Sequence, residues 1–136
     1  PAGDTFFGPV LAEIPSADFL EREVFGPILH VVRYDPEDLK SVAGRLASRR
    51  YGLTLGVHSR IEAFAQEVAD LVPAGNVYVN RSIIGAVVGV QPFGGEGLSG
   101  TGPKAGGPNA LSRYAMERAV SVNITAQGGD PALLNL

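Results

Sequence analysis

The spacing most suggestive of chemistry lies in residues 91–108, QPFGGEGLSGTGPKAGGP, where Gly95, Gly97 and Gly100 satisfy G-x-G-x-x-G and Gly97 to Gly102 has the interval of a phosphate loop. A dinucleotide fingerprint places a buried strand before its first glycine and opens a helix at its last, so that the helix N-terminus faces the pyrophosphate. Here Gln91-Pro92-Phe93 precedes the run and Gly102-Pro103 follows it, so neither neighbour is in place. A Walker loop carries Lys and then Ser or Thr directly after its second glycine, where the ammonium reaches the terminal phosphates and the hydroxyl reaches magnesium. Pro103-Lys104-Ala105 takes those positions. Both nucleotide readings fail on context. Half of the chain's 18 glycines and three of its ten prolines fall between residues 85 and 108, which excludes a regular helix or strand there and predicts a long shaped loop.

Other reactive side chains are few. The chain has no cysteine, which excludes disulfides, thiolate metal sites and a cysteine nucleophile within it. His30 and His58 fall in predicted strands with no second ligand at metal-binding spacing and read as structural. Glu96 and Lys104 have the charges for an ion pair across the loop, although solvation of both is the better expectation. By residue type alone, Glu23 in Glu21-Arg22-Glu23 reads as solvated, Phe25 as a core aromatic and Phe93 as a plug fixing the loop.

The elements that must position these residues alternate. Residues 10–14 and 28–34 read as strands, the second with the nearly continuous apolar run expected of a strand buried on both faces. Asp35-Pro36 has the form of an N-cap and N1 pair. Leu39, Val42, Ala43, Leu46 and Ala47 then make one helical stripe ending before Gly52. Residues 53–58 are strand-like, and Ser59-Arg60-Ile61-Glu62 has the form of a capping box. Ile61, Phe64, Ala65, Val68, Ala69 and Val72 repeat the stripe until Pro73 and Gly75 close it, and residues 76–80 form the next strand. Such alternation predicts right-handed crossover units on a parallel sheet. A last helix is expected from Gly107-Pro108 to about Arg118, and residues 120–125 alternate like a strand that has no sequential neighbour. The tail AQGGDPALLNL reads as a loosely held terminus.

Composition narrows the function classes. With 136 residues and 45% hydrophobic content, the chain is at most one ordinary domain with enough apolar material for a core. A net charge of -3 and the absence of a basic stripe argue against nucleic-acid or anionic-membrane binding. No apolar run approaches the roughly 20 residues of a membrane span, and no signal peptide is evident, so a cytoplasmic location is the expectation. A first residue of Pro rather than Met points to a piece of something longer.

Four blocks, REVFGP at 22–27, YGLTLGVHSR at 51–60, GNVYVNR at 75–81 and IGAVVGVQPFGGEGLSGTGPKAGGP at 84–108, together resemble the C-terminal part of an aldehyde dehydrogenase. Within that superfamily the long glycine loop and the SVNIT segment at 121–125 resemble the pyrroline-5-carboxylate (L-glutamate γ-semialdehyde) dehydrogenase module of the proline utilization A proteins. The resemblance implies an α/β fold, with parallel-sheet crossover units forming part of a catalytic domain over residues 1–118. Residues 84–108 become the anchor and glycine-rich loop, and 119–136 an oligomerisation strand and tail. It also implies NAD-dependent oxidation of glutamate semialdehyde to glutamate through a cysteine thiohemiacetal, hydride transfer and thioester hydrolysis. FAD enters only if a proline dehydrogenase module is attached. The nucleophile, its general base and the cofactor domain lie upstream in the family, so the chain alone is expected to be inactive.

Carried over residue by residue, the family's nicotinamide-ribose carboxylate falls on Glu23, and its neighbour on the nicotinamide side on Phe25. The backbone amides that hold the substrate α-carboxylate fall on Gly85 and Ala86, and the aromatic lining the aldehyde chain on Phe93. The terminal strand implies a homo-oligomer. Two other readings stay open on sequence alone, a non-catalytic oligomerisation module and a stand-alone anion-binding domain. An upstream cysteine-bearing segment preceded by a cofactor domain discriminates against both.

Overall fold

The computed structural model describes residues 5–85, 87, 90–124, 126, 128 and 132. Its elements in chain order are β1 (Val10–Glu13), β2 (Ile28–Val31), α1 (Leu39–Ser48), β3 (Tyr51–Gly52), β4 (Thr54–Val57), α2 (Glu62–Leu71), β5 (Asn76–Val79) and β6 (Glu96–Gly97). Short 3-10 turns are inserted at Ala17–Phe19, Pro36–Asp38 and Leu111–Tyr114.

The expected parallel pairing is present as two separate ladders rather than one sheet. β1 runs parallel to β2, with Val10 opposite Ile28 and Glu13 opposite Val31. β4 runs parallel to β5, with Thr54 opposite Asn76 and Val57 opposite Val79, and α2 is the connection between them. A third, antiparallel ladder joins β3 to β6 and was not foreseen: Tyr51 faces Gly97 and Gly52 faces Glu96.

The two helical stripes meet through small residues. Ala43 of α1 and Ala65 of α2 are buried, which lets the helix backbones approach, and Val57 and Val72 complete the core beside them. The ends of β4 and β5 are tied by Asn80, whose Oδ1 accepts from the Ser59 amide at 3.0 Å while its Nδ2 donates to the Ser59 carbonyl at 2.8 Å. The amide thereby imitates a backbone pair where the ladder stops. Asn80 adopts a left-handed φ of 55°, a conformation asparagine tolerates better than most residues.

Several sequence expectations are corrected. Ser59 accepts from Ile61 N at 3.0 Å, a local turn, and no side chain caps α2, so the expected capping box is absent. Asp35 makes no side-chain cap; Pro36 opens a 3-10 turn that precedes α1. The left-handed residue after α1 is Arg50, with φ 62°, rather than a glycine. β2 ends at Val31 and is not buried on both faces, since Leu29 is 60% exposed. The helix expected over 108–118 is reduced to the turn Leu111–Tyr114. Leu111, Tyr114 and Met116 are each more than 80% exposed, and a lone amphipathic segment of this length is marginal without a surface to pack on. Residues 120–124 form no strand, and Thr125 lies outside the described residues.

Exposed apolar side chains include Phe6, Phe25, Ile84 and Met116, each at least 83% exposed. Large exposed apolar area on a soluble chain marks surface that normally meets protein. The isolated chain is therefore expected to self-associate as its concentration rises. Sedimentation velocity across a concentration series checks this, and a compact monomer throughout would overturn it.

Candidate functional site

The short strand β3 is the bracket on which the candidate residues hang. On one side the Tyr51 hydroxyl accepts from the backbone amide of Glu23 at 3.3 Å, tying the Glu-x-Phe-Gly-Pro segment to the strand. On the other side β3 pairs with β6 inside the glycine loop, reinforced by Leu98 N donating to Arg50 O at 2.7 Å and Gly52 N donating to Ser99 Oγ at 3.1 Å. From the same bracket Gly52 O accepts from Gly75 N at 2.9 Å, which brings in the start of β5. A cavity of about 330 Å³ opens between these parts and is lined by Leu20, Glu23, Leu46, Tyr51 and Leu55 among others.

Glu23 is exposed, and its carboxylate has no hydrogen-bond or ion-pair partner among the described residues. An ionised carboxylate is acceptor-only, with two oxygens able to meet two neighbouring donors, and both are free here. Phe25 is 92% exposed, so no part of this chain covers its ring among the described residues. Gly85 has φ +78°, and a side chain built on it would meet nothing within 4 Å, so the backbone there is open to approach from outside. Ala86, the other expected amide donor, lies outside the described residues. His30 and His58 are exposed, and no cluster of three or more potential metal ligands occurs among the described residues.

Phe93 is half-buried and its backbone is fixed in an isolated bridge to Ala105: Phe93 N donates to Ala105 O at 3.1 Å and Ala105 N donates back at 3.0 Å. This bridge closes the glycine loop at its base. Two donors converge just inside it on one carbonyl. Lys104 Nζ donates to Gly94 O at 2.8 Å, and Asn76 Nδ2 donates to the same oxygen at 3.1 Å and to Leu53 O at 2.9 Å. Lys104 is thus a half-buried loop clasp, neither solvated nor paired with Glu96. Asn76, the sole buried polar residue among those described, was missed as well; a polar side chain at the first position of an otherwise apolar strand was its only signal.

Space for this convergence comes from Gly75. A Cβ there would overlap the Gly94 carbonyl oxygen and lie 2.7 Å from Lys104 Nζ. The structure therefore joins Glu23, Tyr51, the loop base at Phe93 and Ala105, and the Asn76–Lys104 clasp into one hydrogen-bonded assembly. Gly85 lies outside that set of bonds.

A model of the aldehyde dehydrogenase family matches residues 2–120, and the chain belongs to that family. Among curated relatives, the bifunctional protein PutA of Klebsiella aerogenes is 52% identical over 132 residues, covering 95% of this chain and 10% of that protein. A crystal structure of a Bradyrhizobium japonicum proline utilization A mutant is 57% identical, with a TM-score of 0.80 over 93% of this chain and 13% of that one. A 1-pyrroline-5-carboxylate dehydrogenase from Thermus with bound NAD is 39% identical, with a TM-score of 0.64 over 75% of this chain and 20% of that one. The chain thus spans about a tenth of the length of the PutA relatives it matches. No helix among the described residues is long and apolar enough to cross a membrane.

Within a full-length protein carrying this segment, Gly75→Ala is expected to cost about 1–3 kcal/mol, the usual penalty of overpacking a tight contact. Denaturant unfolding of the two proteins measures it. Equal stability would mean that the Gly94 carbonyl is not packed against Gly75.

Proposed function

We propose that this chain is the C-terminal portion of an NAD-dependent L-glutamate γ-semialdehyde (pyrroline-5-carboxylate) dehydrogenase of proline catabolism, which oxidises the aldehyde to glutamate. The observation that carries the proposal is the link through β3 between an unpartnered, exposed Glu23 carboxylate and the base of the glycine loop at Phe93. That arrangement supports one residue set for a cofactor and another for a substrate, held on a common support. The likeness to PutA and to a pyrroline-5-carboxylate dehydrogenase structure with bound NAD supports the choice of reaction.

In this reading the residues present fit a nicotinamide ribose. Glu23 offers two free acceptor oxygens to its neighbouring hydroxyls, and the open ring of Phe25 packs on the nicotinamide side. Bound there, NAD supplies the hydride acceptor. Phe93 lines the aliphatic chain of the aldehyde, and the amides of Gly85 and Ala86 hold the substrate's α-carboxylate, a task that small residues suit because they do not obstruct an anion. The nucleophile is supplied by chain beyond these residues, since no cysteine occurs among them. FAD belongs to the protein only where a proline dehydrogenase module is attached. Residues 120–125 resemble the family's oligomerisation strand, which makes a homo-oligomer the accompanying proposal.

Two substitutions in the full-length protein test the assignment. Glu23→Gln keeps the shape but turns one acceptor oxygen into a donor, so single-turnover hydride transfer is expected to slow by roughly tenfold, with a smaller change in aldehyde affinity. An unchanged hydride-transfer rate removes Glu23 from the cofactor site. Ala86→Pro deletes one proposed amide donor, and a hydrogen bond to a charged group is worth roughly 1.5–3 kcal/mol. kcat/KM should fall for glutamate semialdehyde far more than for an aldehyde of similar length lacking the carboxylate. Equal losses on the two substrates would show that the loop is only scaffold.

A further inference from the structure

We propose that Lys104 is a positioning residue for aldehyde binding: by fixing the Gly94 carbonyl it sets the orientation of the peptide beside Phe93 and so the shape of the substrate wall. The proposal rests on the reading of Phe93 as part of that wall.

The argument begins with freedom. Gly94 and Gly95 follow Phe93 directly, and glycine explores far more backbone conformations than other residues. The bridge to Ala105 holds Phe93 through its own N–H and C=O, and the β3–β6 ladder holds the chain again at Glu96, which leaves Gly94 and Gly95 to be fixed between them. Rotation is stopped at the Gly94 oxygen, where Lys104 Nζ at 2.8 Å and Asn76 Nδ2 at 3.1 Å arrive together. Asn76 is itself held by its second bond, to Leu53 O, so its contact anchors the loop to the β4–β5 ladder. Lys104, ten residues beyond Gly94, ties the returning limb of the loop to its outgoing limb.

The choice of an ammonium is informative. A half-buried lysine without a carboxylate partner loses hydration, and no ion pair of Lys104 occurs among the described residues. A charge-assisted bond to a carbonyl is shorter and stronger than a neutral one, and this one is directed at the single oxygen on which the loop base turns. A lysine serving only solubility would extend into water, as long charged side chains do when their surroundings allow it. This one is folded inward against Gly75 and Gly94.

The test uses the full-length protein and three variants. Lys104→Met keeps an unbranched stem and removes the donor, while Lys104→Gln retains an N–H at the end of a polar side chain. Losing a charged hydrogen bond that holds a binding conformation should raise the aldehyde KM by about tenfold. The KM for NAD and the unfolding temperature should change little, and Lys104→Gln, neutral and one bond shorter, should recover only part of the aldehyde affinity. An unchanged aldehyde KM in Lys104→Met overturns the proposal. So does a rise accompanied by an equal rise in the KM for NAD and a lowered unfolding temperature, because that pattern describes a general structural role. Phe93→Ala separates this proposal from the reading beneath it. A raised aldehyde KM in Phe93→Ala without one in Lys104→Met sinks the Lys104 assignment alone, whereas an unaffected Phe93→Ala sinks the wall reading and this proposal with it.

Discussion

A loop in which nine of the residues 85–108 are glycine has few means of holding its own shape, and the Gly94 carbonyl is one place where this protein supplies restraint, beside the Phe93–Ala105 bridge and the β3–β6 ladder. Two side-chain donors from opposite directions, Asn76 and Lys104, meet on that one oxygen, and the absence of a side chain at Gly75 leaves room for them. The order of causes runs from sequence to site. Asn76 begins β5 and is placed by the parallel ladder, Gly75 permits contact, and Lys104 closes the loop on itself. Without the ladder the loop loses its Asn76 anchor and keeps only its ties to β3; without the loop's own closure that anchor holds only one limb.

β3 extends the same logic to the rest of the site. It is two residues long, too short to be a stable strand by itself, yet it receives bonds from three directions: Glu23 through the Tyr51 hydroxyl, the glycine loop through β6 and the start of β5 through Gly52 O. Such a strand is a junction more than a layer of a sheet. Its restraint falls on Glu23 through the backbone amide, which positions the segment while leaving the carboxylate free. A carboxylate already occupied in an ion pair has less capacity to receive a ligand, and that of Glu23 is not so occupied among the described residues.

What was legible in the sequence divides according to how local the causes are. Both main helices and the strands that flank them follow from periodicity, because an amphipathic stripe is sufficient to define which face is buried and Ala43 and Ala65 do lie buried on those faces. The family also followed from the residues, since residues 2–120 match the aldehyde dehydrogenase model that four short blocks had indicated. β3, β6 and the clasp were not legible, because they depend on meetings between residues such as Gly52 and Glu96, or Gly94 and Lys104, whose pairing no local pattern announces. Lys104 illustrates the limit well. A lone lysine among glycines has the composition of a solvated loop residue, and only the proximity of Gly94 O and Gly75 makes it a structural one.

The failed helix over 108–118 marks the other side of the same division. Gly107-Pro108 has the form of a helix start, but Leu111, Tyr114 and Met116 are exposed, and the segment keeps only a 3-10 turn at Leu111–Tyr114. α1 and α2, no longer in residues, persist because each has the other to cover its stripe, with β3 beside α1 and β4 beside α2. Periodicity therefore describes what a segment can bury, and a neighbouring surface decides whether it does. The same condition governs β2, which holds through β1 despite an exposed Leu29, whereas residues 120–124 form no strand. Order in this chain is thus greatest where two of its own elements supply each other's missing contacts, and the candidate site stands on the most mutually supported of them, the β4–β5 ladder and the glycine loop it anchors.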